Sequence, residues 1–102
     1  MKSPENMSRV VNQKRYSTKT AELIASNCYW DGHNWERNGR NTFLYRTPKG
    51  AYFMVRLTCW QDERNTLIPI DLDEAIELFE HNLTEHEVSY EKAFPGIKVE
   101  DA

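Results

Sequence analysis

A chain of 102 residues that is 39% hydrophobic and 28% charged has the size and composition of one folded domain, not of a disordered or membrane protein. No apolar run approaches the roughly 18 residues of a bilayer-crossing helix. The opening MKSPENMSRVVNQK lacks the apolar stretch of a signal peptide, so a cytoplasmic protein without membrane attachment is expected. The net charge of −3 conceals an asymmetry, because residues 1–60 carry ten Lys/Arg against four Asp/Glu and residues 61–102 carry three against twelve.

Residues 1–13 show no periodicity and read as a flexible arm, with Val10 and Val11 as the groups able to dock on a domain edge. Residues 14–30, KRYSTKTAELIASNCYW, suit either a helix starting at Thr20 or a strand in which Ala21, Leu23 and Ala25 share one face. Residues 31–41 form a polar loop whose Asp31-Gly32 and Asn38-Gly39 pairs are turn signals. Trp35 within it either folds back over the core or stays exposed for contact. Thr42 to Trp60 is the strongest local signal, a hairpin of two β-branched and aromatic runs around Pro48-Lys49-Gly50. Pro48 pre-sets the turn, and Gly50 supplies the left-handed residue of a closing bulge. Phe53, Val55 and Leu57 form the face expected to meet helices, and Tyr52, Met54, Arg56 and Trp60 form an amphipathic second face, half-covered by a helix, by the loop carrying Trp35 or by a partner.

Leu67 to Ile70 reads as a short strand, and Pro69, which has no N–H, puts it at a sheet edge or ends it there. Asp71 with Glu74 three residues on is a cap signature for a helix whose stripe is Leu72, Ala75, Ile76, Phe79 and Leu83. Asn82 is its expected terminator. Thr84 restarts the pattern for a second helix to about Phe94, ended by Pro95-Gly96, and residues 97–102 form a tail. The expected fold is therefore α+β, a three- to four-stranded antiparallel sheet followed by two C-terminal helices on one face, with residues 14–96 as a single domain.

These segments resemble a family of small uncharacterised proteins of bacterial genomes, phages and prophages. The resemblance runs over about residues 14–96. It is carried by Lys14-Arg15-Tyr16 with Thr18, Thr20, Ala21 and Glu22, by Leu44-Tyr45-Arg46 and Gly50 with Tyr52-Phe53, and by Ile68-Pro69, Glu74-Ala75, Tyr90-Glu91 and Phe94. It implies a strand from Tyr16 to Ala25, then the hairpin, then the acidic helix. It brings no catalytic residue. Where such proteins often have a Gly-rich stretch after the hairpin, this chain has Leu57-Thr58-Cys59-Trp60-Gln61-Asp62.

The residues point away from enzyme chemistry. Cys28, His33, Cys59, His81 and His86 form no CxxC or HxxxH pair, so neither a metal nor another cofactor is expected. Cys28 and Cys59 read as reduced thiols in a compartment where disulfides do not persist. Thr47-Pro48-Lys49-Gly50 is a turn rather than a phosphate loop. The carboxylates of the acidic helix match a solvated face.

Two binding functions remain. In the first, a protein partner is met by Tyr52, Met54, Arg56 and Trp60 on the hairpin and by Asp73, Glu77 and Glu80 on the helix. The acidic strip could imitate a phosphate backbone and modulate or inhibit a host nuclease or defence complex, and a second copy of the chain is another candidate partner. In the second, Lys14, Arg15, Arg46, Lys49 and Arg56 hold a nucleic acid beside the hairpin aromatics.

Overall fold

In the computed structural model, residues 6–27, 40–58 and 64–102 are described. Asn12 and Gln13 both have positive φ, 53° and 65°. Two successive residues of this kind make a tight turn whose twist suits a two-residue hairpin. The turn joins β1 (Ser8–Val11) to β2 (Lys14–Ser17), with Val11 opposite Lys14 and Arg9 opposite Tyr16. Met7 and Thr18 close the open end, the Thr18 amide donating to the Met7 carbonyl at 2.9 Å and the Met7 amide to Thr18 Oγ1 at 3.0 Å. Residues 8–11, inside the expected flexible arm, are thus a paired strand.

A turn closed by the Ala21 amide on the Ser17 carbonyl (3.1 Å) leads into β3 (Glu22–Ser26). The segment expected as one strand from Tyr16 to Ala25 is therefore split between two strands in different sheets. A bulge shifts the register of β3 against the next strand between Leu23 and Ala25. One extra residue reverses the alternation of faces. Leu23 packs on one side of the sheet, while Ile24 and Ala25 are buried on the other, so the expected shared face of Leu23 and Ala25 does not form.

β4 (Arg40–Arg46) and β5 (Tyr52–Thr58) make the expected hairpin. Gly50 has φ +89°, its amide donates to the Thr47 carbonyl at 2.9 Å, and the Thr47 amide donates to the Ala51 carbonyl at 2.8 Å. This is the glycine bulge that the turn residues announce. β6 (Thr66–Ile70) pairs with β5, and β7 (Glu85–His86) pairs with β3. The sheet is antiparallel throughout in the order β6-β5-β4-β3-β7, so Pro69 does lie on an edge strand. The Arg9 guanidinium donates to the Leu67 carbonyl at 2.9 Å. Between that contact and the missing donor of Pro69, the β6 edge offers little to an incoming strand.

α1 (Leu72–Glu77) begins on Asp71, whose Oδ1 accepts the Glu74 amide at 2.8 Å. It widens into a π-helical segment, Leu78–Asn82, closed by the Leu83 amide on the Leu78 carbonyl at 2.8 Å. The second helix does not start at Thr84. Glu85 and His86 are taken up by the sheet as β7, and α2 covers only Tyr90–Ala93, capped by Ser89 Oγ, which accepts the Lys92 amide at 3.3 Å. The expected α+β fold is corrected accordingly: among the described residues the protein is mostly β, a five-stranded sheet plus a two-stranded ribbon with two short helices.

The sidedness is also the reverse of expectation. Phe53, Val55 and Leu57, with Phe43, Tyr45 and Leu67, are covered by Met7, Tyr16, Ala21 and Leu23 at the ribbon side, and the Tyr16 ring meets Phe53 edge-on at 5.9 Å. The helices instead cover the Tyr52 face, where Ile24, Leu44, Phe79, Leu83 and Phe94 are buried. There Tyr52, Phe79, Tyr90 and Phe94 form a ring cluster with centroid separations of 5.1–5.7 Å between contacting pairs. Burying one such ring contributes roughly 2–3 kcal/mol, enough to hold helices too short to persist alone.

Candidate functional site

The surfaces open to a partner follow from this layering. Along the helix-side face of β5, Tyr52 is 7% exposed and its hydroxyl donates to the Ala93 carbonyl at 2.6 Å. It is a core group, and its expected role as a binding aromatic is corrected: Ala93 and Phe94 occupy the space a partner would need. Met54 is half-buried and Arg56 is exposed. Trp60 lies outside the described residues, as do Cys28, His33, Trp35 and Cys59.

Beyond Met54 the helices end and the sheet face opens. Cross-strand pairing sets Thr42, Arg56 and Thr66 in one row. With Thr58 and Arg64 they line a shallow cleft of about 500 Å³. Two guanidinium groups and three hydroxyls give this end of the sheet cationic, hydrogen-bonding character. Arg64 is not among the expected site residues; its signal is the alternation of Arg56 and Thr58 with apolar Val55 and Leu57, which leaves a polar row needing a polar neighbour.

The five expected nucleic-acid residues do not converge. Lys14 and Arg15 lie on the ribbon, Arg46 and Lys49 stand at the β4–β5 turn, and Arg56 lies four residues along β5 from Tyr52, roughly 13 Å away. The ribbon has its own electrostatic identity, since residues 6–21 hold Arg9, Lys14, Arg15 and Lys19 and no carboxylate. On the opposite side, residues 71–102 hold ten carboxylates against two lysines.

The helix presents Asp73, Glu77 and Glu80 outward, as the spacing predicts. Glu80 is not a free charge. Its Oε2 accepts the Tyr90 hydroxyl at 2.8 Å, and its Oε1 lies 3.7 Å from His81 Nε2, which is also 4.0 Å from Glu77. The Glu80 hydrogen bond, partial burial and the nearby negative charge together hold the Tyr90 phenol above its usual pKa of 10.0. The more open part of the strip is therefore Asp73 and Glu77, the latter 69% exposed beside His81 against 41% for Glu80.

Among the described residues no three His, Cys, Asp or Glu side chains gather as metal ligands. His86 serves the structure instead. Its ring stacks on Phe79 at 3.8 Å, and Nε2 lies 2.8 Å from the Phe79 carbonyl and 2.9 Å from the Leu83 carbonyl. Both partners are acceptors, so Nε2 carries the proton and ties β7 to the π-helical segment. Among the described residues no helix is long and apolar enough to cross a membrane.

No protein-family model matches the chain, and neither a curated protein nor a solved structure matches it.

Proposed function

We propose that this chain is a non-enzymatic binding protein of the phage and prophage kind, and that its helical layer docks a basic protein partner. The observation that carries this reading is the concentration of ten carboxylates against two lysines in residues 71–102, with Asp73 and Glu77 exposed on α1. Such a surface steers a cationic partner and selects against acidic ones. A basic groove built for a phosphate backbone, as in a nuclease or a defence complex, has the complementary charge. The chain immobilised on a column in host lysate is expected to retain a basic protein at low salt and release it as salt rises, because exposed charges are screened. Retention independent of salt contradicts the reading.

A second reading has its own support. Residues 6–21 of the ribbon carry four cations and no anion, and the outward row includes Val10 (59% exposed) and Arg15. This is a nucleic-acid-binding surface in the making, with the acidic layer held on the far side of the sheet. Gel shifts at two salt concentrations test it, since phosphate contacts weaken steeply with salt.

A further inference from the structure

Arg46 is the odd cation of the molecule. It ends β4 directly opposite Tyr52 on one side and Glu22 on the other. The residue is only partly exposed, and its Nε is fully buried without a hydrogen-bond partner. Among the described residues no ion pair or hydrogen bond reaches the guanidinium, Glu22 included. A guanidinium is charged at all working pH and has five donors, so a half-buried one without an acceptor is a costly arrangement. The other unpaired cations whose side chains are described, such as Lys14, Arg15 and Arg56, are exposed and solvated.

Arg46 lines a pocket of about 360 Å³ whose apolar walls include Tyr52, Ile70, Leu72 and Pro95. Leu72 is 39% exposed, although the helical spacing puts it in the buried stripe of α1. The guanidinium lies against the turn: a Cβ built at Gly50 would stand 3.5 Å from Arg46 Nη2, an ordinary contact. Asp71 also lines the pocket, and with Oδ1 taken by the Glu74 amide its second oxygen can accept an N–H.

We propose that this pocket binds a carboxylate flanked by an apolar group and an N–H, the chemistry of an N-acylated apolar amino acid or of a peptide chain ending in one. The carboxylate takes the two Nη groups of Arg46 in bidentate geometry, the apolar side chain fills the space between Ile70, Leu72 and Pro95, and the N–H faces Asp71. A phosphate dianion is a poorer fit, because Asp71, Asp73 and Glu74 crowd the neighbouring turn with negative charge. The volume sits near the lower limit for ligand pockets, which suits one or two residues.

The test is titration of the whole chain with N-acetyl-leucine, N-acetyl-leucinamide and inorganic phosphate, read by NMR at the backbone amide signals of Ala51, Tyr52 and Leu72 around the pocket. N-acetyl-leucine is expected to give a saturable shift by about 10 mM, the range of a weak single-site ligand. The amide and phosphate are expected to give none. Arg46→Gln should weaken binding at least tenfold. Leu72→Glu should do the same by placing a carboxylate at the mouth, and as an exposed first-turn position it leaves the core intact. A hexapeptide ending in leucine is a further arm. Tighter binding of the peptide supports the site and assigns it to chain ends, whereas equal binding supports it and assigns it to small carboxylates. Equal response to acid and amide, phosphate binding as tight as the carboxylate, no saturable shift, or unchanged binding in Leu72→Glu each overturns the proposal.

Discussion

The ribbon and the helical layer cover opposite faces of one sheet, and they are held by different means. The helical layer is fastened by four interlocked rings, a buried Tyr52 hydroxyl and the His86 clasp. The ribbon is fastened by the Tyr16 edge on Phe53, the Met7–Thr18 closure and the Arg9 contact to Leu67. The first layer is acidic and the second basic. The difference teaches that the layer richest in surface carboxylates is also the more deeply buried of the two covers, with Ala75, Phe79, Leu83, Ala93 and Phe94 buried where the ribbon buries Thr18. Its charge is displayed on a rigid support, which suits preorganised binding.

The comparison breaks first at Phe94. This ring is fully buried, and Phe94→Ala is expected to cost about 3–5 kcal/mol in urea unfolding. Tyr16→Ala, at a half-buried ring, is expected to cost about 1–3 kcal/mol. Equal losses at the two positions would mean that the layers are equally anchored.

The ribbon can be strengthened as well as weakened. Gln13 sits at φ 65°, where a side chain strains the backbone. Gln13→Gly is expected to raise stability by about 0.5 kcal/mol, the relief of strain outweighing the added freedom of the unfolded chain. A loss of stability in thermal unfolding would show that the turn does not have this geometry.

The smallest effect concerns Tyr90. Its phenol titrates above its ordinary value in the folded protein, chiefly through the Glu80 hydrogen bond. A raised pKa means that the folded state holds the proton more tightly than the unfolded state. This contribution is fully present below about pH 10 and is lost as pH rises through the folded value. Ultraviolet titration of the tyrosinates is expected to show Tyr90 ionising late, and Glu80→Gln should bring it back towards the ordinary range. An unchanged titration in that variant would remove Glu80 as the cause.

Much of the local structure is legible in the residues themselves. Pro48 and Gly50 announce the hairpin turn, Asp71 and Glu74 the start of α1, and Pro69 the edge strand, because each acts through its own backbone or its nearest neighbours. What lies beyond local chemistry is less visible. Asn12-Gln13 is a weaker turn signal than Asn-Gly, so the ribbon reads as an arm. The bulge at Ile24 adds one residue, and periodicity carries no mark of it. Both faces of β5 are apolar, so alternation does not say which side the helices take. For the same reason Tyr52 is expected at a surface and lies in the core, while Arg46 is legible as a cation but not as an unpaired one.

The central claim is that the acidic layer, not the basic ribbon, makes the functional contact. Capture from host lysate by the wild-type chain should be compared with capture by Asp73→Lys/Glu77→Lys and by Lys14→Glu/Arg15→Glu, with circular dichroism confirming that all three are folded. All four positions are exposed, so the reversals spare the core. The account predicts that the helical reversal loses the captured protein and the ribbon reversal keeps it. Loss with the ribbon reversal alone, or with neither, would contradict it.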